Sequence, residues 1–214
     1  KGTAPKRCPV CGGEGLDVNT WPCEVCLDSA KEETVKLLDM LMRDFRFSEK
    51  EVRVFFSGHR GYHVHVESEV VKTLDAVARK EIVDYVCGLG FDAASHGLFE
   101  KGWKTSRFLR GLKLNDLGWR GRVAKGIYNL IRDAKQEDYM NIGLKKNVAQ
   151  VIEKNRSKIL GGWDDAGPWY LVKGIGLETW RKIAEYCAES QSVKVDTVVT
   201  TDIHRLIRIA NTLH

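Results

Sequence analysis

Val52-Arg53-Val54-Phe55-Phe56-Ser57-Gly58-His59-Arg60-Gly61-Tyr62-His63-Val64-His65-Val66 is the stretch on which the fold turns. Its first five residues are β-branched or aromatic, apart from Arg53, and predict a strand. Its last five alternate, so the valines face one side of a second strand and the histidines the other. The residues between, with Gly58 and Gly61, predict a loop and hence a β-loop-β unit. That loop concentrates anion-binding groups. A serine hydroxyl, the Arg60 guanidinium and the His63 imidazole project from one turn, and backbone amides beside glycine can form an anion nest. A polar hairpin with an incidental arginine has the same spacing, so the loop alone leaves both readings open.

Upstream lie two C-x-x-C pairs, Cys8-Pro9-Val10-Cys11 and Cys23-Glu24-Val25-Cys26, 11 residues apart. A tight turn brings both sulfurs of such a pair to one side, and two pairs complete a tetrahedral four-thiolate zinc site with Zn–S of about 2.3 Å. Gly12, Gly13 and Gly15 supply backbone freedom for a knuckle over 1–28. Disulfides are the competing reading; no apolar signal segment precedes the cysteines, which argues against them. A thioredoxin-like redox motif would show one pair rather than two. All four sulfurs would be consumed, which predicts a structural ion. Cys87 and Cys187 each lie on an apolar helical stretch and are expected to be buried core thiols.

Between knuckle and hairpin, Val35, Leu37, Leu38, Leu41, Met42 and Phe45 recur at helical spacing and predict an amphipathic helix over 29–46, capped by Asp28 or Ser29. A helix is expected over roughly 68–88. Residues 89–135 show weak periodicity. Further helices are expected at about 138–160 and 176–190, with breaks at Gly161-Gly162 and Gly167-Pro168. Val193 to Thr201 is rich in β-branched residues and predicts a strand, with Asp202 capping a following helix.

The chain has 214 residues, 43% hydrophobic and 29% charged, an ordinary globular composition that excludes wholesale disorder. No apolar run approaches the roughly 18–20 residues of a membrane-spanning helix. Net charge is +5, but residues 101–160 carry 15 Lys and Arg against 5 Asp and Glu, a local +10 that leaves −5 for the rest. Such a block suits a polyanion such as nucleic acid, and equally a solvated helical face. The six tryptophans, Trp21, Trp103, Trp119, Trp163, Trp169 and Trp180, are expected mostly in the core, although stacking on bases is also open to them.

Taken together, these segments resemble the small, catalytic subunit of archaeal and eukaryotic DNA primase. Ser57-Gly58-His59-Arg60-Gly61-Tyr62-His63 is similar to that family's S-G-x-R-G-x-H signature, with His59 at a variable position. Val199 to His214 resembles a later motif in which an aspartate ends a strand and a basic residue stands six before a histidine. The cysteine knuckle lies upstream of the signature, where the family carries its zinc. The run from Arg205 to His214 suggests archaeal affinity.

The resemblance implies an α+β fold: a mixed or antiparallel primase-type sheet flanked by helices, with a zinc knuckle (1–28) and a helical insertion (89–190). Residues 29–88 and 191–214 would form part of the catalytic core. It implies template-directed synthesis of short RNA primers by two-metal nucleotidyl transfer, with Mg²⁺ or Mn²⁺ as catalytic ions. Asp202 would be one of three carboxylates on those ions. Ser57, Arg60 and His63, joined by Arg208 and His214, would hold the triphosphate, and Cys8, Cys11, Cys23 and Cys26 the structural Zn²⁺. The implied partners are DNA template, RNA primer, nucleoside triphosphates and a primase large subunit in a heterodimer, in the cytoplasm at the nucleoid and away from any membrane.

One departure stands out. The family's first two carboxylates form a D-x-D pair upstream of the knuckle, and no D-x-D occurs here; Asp164-Asp165 is adjacent and lies in the variable region. The expectation is that the chain is an internal piece of a longer protein and is inactive alone. Two rival readings are a non-catalytic, zinc-containing nucleic-acid-binding module and a repair-type primase-polymerase; the knuckle speaks against the latter.

Overall fold

The computed structural model describes residues 5–14, 23–58, 61–103, 106–164, 167–202 and 204. The first helix, α1 (Glu24–Arg43), starts five residues earlier than the sequence predicts. Its N-cap is Cys23, not Asp28 or Ser29, and the Cys26 and Leu27 amides already bond back to the Cys23 carbonyl at 3.0 and 3.1 Å. The second cysteine pair therefore occupies the first turn of α1.

The hairpin forms at the expected positions: β1 (Val52–Phe56) pairs antiparallel with β2 (Tyr62–Val66), with Val54 opposite Val64 and Phe55 opposite His63. Phe55 meets the His65 ring edge-on at 5.2 Å and Phe56 meets Tyr62 at 5.7 Å, so side chains alternate between the two faces as the sequence requires. The single helix expected over 68–88 is two, α2 (Glu69–Lys72) and α3 (Ala76–Val86). Asp75 breaks it by accepting the Ala78 amide at 2.8 Å, an N-cap that restarts the helix.

The stretch of weak periodicity holds a second hairpin, β3 (Phe99–Trp103) with β4 (Ser106–Arg110), and the long helix α4 (Gly118–Asp133). The described residues thus form two separate two-stranded sheets, where one mixed or antiparallel sheet was expected. After α4 come α5 (Gln136–Asn141), α6 (Lys146–Lys154), α7 (Arg156–Gly161), a 3-10 turn (Gly162–Asp164) and α8 (Leu177–Gln191).

Residues 193–201 correct the expectation of a strand. Val193 to Val195 form no regular element, and Asp196 accepts the Val198 amide at 3.2 Å and opens a short helix, α9 (Thr197–Thr201), packed against α3. The β-branched run fails to form a ladder because its first amides already have acceptors on helices.

The core is one cluster centred on α4 and α8. Val123, Ala124, Ile127 and Ile131 of α4 are fully buried, and Trp180, Ile183, Ala184 and Cys187 of α8 close over them. A Cβ on Gly126 would lie 3.1 Å from the Cys187 Cβ, so glycine sets how near the two helices approach. Met40 of α1 and Val86 of α3 belong to the same cluster as the residues between 93 and 193. Four of the tryptophans, Trp119, Trp163, Trp169 and Trp180, are buried in it, as expected. Cys187 is buried and burial pushes its thiol up to about 12, whereas Cys87 is half-buried. Among the described residues no helix is long and apolar enough to cross a membrane.

Candidate active site and cysteine pairs

The tip of the first hairpin is built by its own backbone. The Ser57 amide donates to the Gly61 carbonyl at 2.8 Å, and the Gly61 amide donates to the Ser57 hydroxyl at 3.1 Å. Gly58 sits at φ +77, a left-handed turn that a residue with a side chain rarely adopts. Gly61 lies against α1, where a Cβ would stand 3.9 Å from that of Ala30. Ser57 and His63 are therefore held on one rigid hairpin, both half-buried, with His63 directly across the ladder from Phe55. Arg60 lies outside the described residues, as do Arg208 and His214.

Asp202 is exposed and follows the last turn of α9, not the end of a strand. Its amide donates to the Val198 carbonyl at 3.0 Å, and its Oδ1 accepts the His204 amide at 3.0 Å. This local turn fixes the direction of the carboxylate while leaving it in solvent.

The two cysteine pairs sit on different backbones, a glycine turn and the first turn of α1, but polarise their first thiols alike. Around Cys8 the chain turns back on itself, with the Cys8 amide bonded to Gly13 O and the Gly12 amide to Cys8 O, both at 2.9 Å, and Gly12 at φ +71. The amides of Cys11 and Val10, together with the Cys11 thiol, hold the Cys8 thiol below the ordinary cysteine range. In the second pair the sulfurs of Cys23 and Cys26 lie 3.1 Å apart. The Cys26 thiol and the amides of Cys26 and Val25 lower Cys23 in the same way. Amides aimed at sulfur favour the thiolate, the form that binds metal. The pairs remain separate: among the described residues no three His, Cys, Asp or Glu side chains gather around one point that could hold a cation.

Part of the basic surplus is structural. Arg122 reaches Asp44 at 2.6 Å and Asp39 at 2.8 Å, Arg120 pairs with Asp116 at 2.8 Å, and Arg132 with Asp133 at 2.6 Å. Arg156 donates to the Ala134 carbonyl. Lys113, Lys125, Lys135, Lys145, Lys146, Lys154 and Lys158 stay exposed and keep the surface of this block basic.

Sequence reasoning overlooked what holds the segment that precedes α9. The Glu33 carboxylate of α1 accepts the Lys194 amide at 2.7 Å, and the Val86 carbonyl at the end of α3 accepts the Val193 amide at 2.9 Å. No local pattern announces either contact, since Glu33 reads as one more charge on a helix face.

Most of the chain is similar in sequence to known proteins. Residues 16–214 match the family model described as DNA primase small subunit. The chain is 33% identical over 205 residues to the DNA primase small subunit PriS of Methanothrix thermoacetophila, covering 88% of this chain and 52% of that protein. It is 33% identical over 222 residues to PriS of Natronomonas pharaonis, covering 94% and 53%. It is also 33% identical over 211 residues to PriS of Halorubrum lacusprofundi, covering 94% and 52%. The chain spans about half the length of these relatives. With the match running from the second cysteine pair through the signature hairpin to His214, the chain belongs to the DNA primase small subunit family.

Proposed function

We propose that this chain is the part of an archaeal-type primase small subunit that grips the incoming nucleoside triphosphate during synthesis of RNA primers on a DNA template. The observation that carries this reading is the β1–β2 hairpin, whose Ser57–Gly61 turn is closed by two hydrogen bonds and holds Ser57 and His63 on one rigid support. A triphosphate carries about four negative charges, and fixed donors stabilise it better than mobile ones because no reorganisation accompanies the reaction. Ser57, Arg60 and His63 bind the phosphates from the hairpin. Arg208 and His214 complete the grip, and Asp202 is the carboxylate that this chain contributes to catalytic Mg²⁺ or Mn²⁺.

The described residues do not by themselves fit a two-metal centre, since no second carboxylate, histidine or cysteine pair joins Asp202 in one cluster. The sequence holds no D-x-D to supply it. The chain alone is therefore inactive, and primer synthesis belongs to the full-length subunit, working with a large subunit. The cysteines do suit zinc in their chemistry: each pair presents one amide-stabilised sulfur beside a second thiol. Cys8, Cys11, Cys23 and Cys26 would hold Zn²⁺, which supplies folding free energy rather than chemistry. The exposed lysines of 101–160 form a surface for template or primer backbone.

The test is labelled-nucleotide incorporation by the full-length subunit with Mn²⁺ and a DNA template. Asp202→Ala is expected to abolish incorporation, and Arg60→Ala to raise the KM for nucleotide by about tenfold or more. Unaltered incorporation by Asp202→Ala overturns the assignment.

A further inference from the structure

One turn occurs twice in the helical part of the chain, with the same spacing of parts. In the first copy Gly143 sits at φ +84, Leu144 after it is 8% exposed, Lys145 takes the N-cap position, and α6 starts at Lys146. In the second, Gly174 sits at φ +95, Ile175 is 6% exposed, Gly176 takes the N-cap position, and α8 starts at Leu177. The N-cap carbonyl accepts two helical amides in both, from Val148 and Ala149 at 2.9 and 3.0 Å and from Thr179 and Trp180 at 3.1 Å. The match continues into the helices: Ala149 and Ile152 of α6 correspond to Trp180 and Ile183 of α8, and all four are fully buried. Each turn is thus exposed at its glycine and pinned to the core by the aliphatic residue that follows.

The exposed rim of these turns is basic. Lys145 and Lys146 stand at the first and Lys173 at the second, all exposed. A Cβ on Gly174 would lie 3.8 Å from Val151, so the second turn rests against α6. Exposed Lys154 is three residues on from Val151 and shares its side of that helix. Arg120, Arg122 and Arg132 are paired with aspartates, but among the described residues no ion pair engages these four lysines. Glu178, in the first turn of α8, is held by Arg181 at 2.9 Å. Bare glycine backbone permits close approach, and lysines and backbone amides contact phosphates whatever the base. Val151 lies roughly 8 Å along α6 from Lys146, the reach of about two or three phosphates on one strand of a duplex. Both turns are anchored in the core, so their spacing is rigid. It suits the fixed phosphate spacing of a duplex, whereas a single strand has to be ordered to match it, at a cost in entropy. We propose that the Gly143 and Gly174 turns together grip the sugar-phosphate backbone of the template–primer duplex, independently of its sequence, through Lys145, Lys146, Lys154 and Lys173. The inference rests on the nucleic-acid reading of the basic block, narrows it to one face and extends it to Lys173, outside that block.

The test is fluorescence anisotropy of the full-length subunit with two labelled duplexes of unrelated sequence and a labelled single strand of equal length, each over a range of salt. Removing both Lys145 and Lys146 as alanines is expected to weaken duplex binding by about tenfold and to reduce the slope of log affinity against log salt by about 2, equally for both sequences. Lys173→Ala should reduce that slope by about 1. Single-strand affinity should fall less, by about threefold or under. Lys80→Ala, which removes an exposed charge from α3, should bind duplex as the wild type does. Unchanged duplex binding without Lys145 and Lys146 overturns the proposal, and so does an equal loss for single strand and duplex. A loss per charge as large in Lys80→Ala shows a diffuse basic surface, which overturns the paired grip and leaves the broader reading standing. A full-length subunit that binds neither duplex nor single strand overturns that broader reading itself.

Discussion

Arg122 of α4 places its Nε 2.6 Å from the carboxylate of Asp44, at the end of α1, across 78 residues of sequence. Its Nη1 reaches Asp39 at 2.8 Å, and the Tyr85 hydroxyl of α3 donates to the same Asp44 at 3.0 Å. Three helices are thereby joined through one aspartate whose side chain is only 10% exposed. Arg122→Ala leaves that carboxylate without its main partner and should destabilise the chain by about 3 kcal/mol or more. Chemical denaturation measures the loss, and a loss under about 1 kcal/mol would show the network to be idle.

Tyr85 sets an alkaline limit on the same junction. Burial, with Asp44 alongside, pushes its hydroxyl up to about 12 from an ordinary 10.0. A group whose proton is held more tightly in the folded state stabilises fully below its unfolded pKa and loses that contribution as pH rises through the folded one. Folding stability contributed by Tyr85 should therefore be constant to about pH 10 and gone above about pH 12. Tyr85→Phe should flatten that part of the stability profile.

Glu33 gives the opposite dependence. Burial raises its pKa, but Lys36 and the Lys194 amide outweigh burial and leave the carboxyl below the ordinary 4.5. Its contribution is present above that ordinary value and is lost as pH falls through the lowered one. Protection of the Lys194 amide, read by hydrogen exchange, should thus persist at about pH 5 and fade in more acid solution. A Glu33→Gln chain should not show the fade.

Two glycines predict opposite outcomes of one substitution. A Cβ on Gly111 would meet the Trp169 indole at 1.9 Å, whereas nothing lies within 4 Å of one on Gly161 in α7. Gly111→Ala should cost about 3 kcal/mol through overpacking. Gly161→Ala should be neutral or stabilise by up to about 1 kcal/mol, because alanine loses less freedom on entering a helix. Thermal unfolding of the two variants checks both signs.

The cysteine pairs predict metal uptake of one Zn²⁺ per chain, measured by elemental analysis. Cys8→Ser and Cys23→Ser should each lower retention under chelator more than an exposed serine substitution such as Ser190→Ala. The depressed thiols keep more thiolate near neutrality, so uptake should fall as pH drops through their lowered range. A chain that folds with no bound zinc and ignores chelator would remove the structural role.

The first hairpin was legible because its signals are local: alternating valines and histidines set the faces, and two glycines set the turn. The helix over 118–133 was not, because Gly118, Gly121 and Gly126 interrupt its pattern for packing reasons that only the neighbours reveal. A Cβ on Gly121 would lie 1.8 Å from the Asp116 carbonyl, and Gly126 faces Cys187. The run from Val193 misled for a related reason. β-branched residues favour extended backbone, but a strand also needs a neighbour with free backbone groups. Here helices take those amides, and Asp196 turns the rest into α9. The candidate site residues lie within short motifs; the contact of Glu33, 161 residues from the amide it holds, leaves no such local trace.

The Val86 carbonyl and the Val193 amide stand 2.9 Å apart, so everything between them leaves α3 and returns to the same spot. Such an excursion can grow, shrink or be rebuilt over evolutionary time without changing the span its ends must bridge. Loops of that lobe could therefore change in length between lineages while α4 and α8 kept the core and Arg122 kept its hold on Asp44.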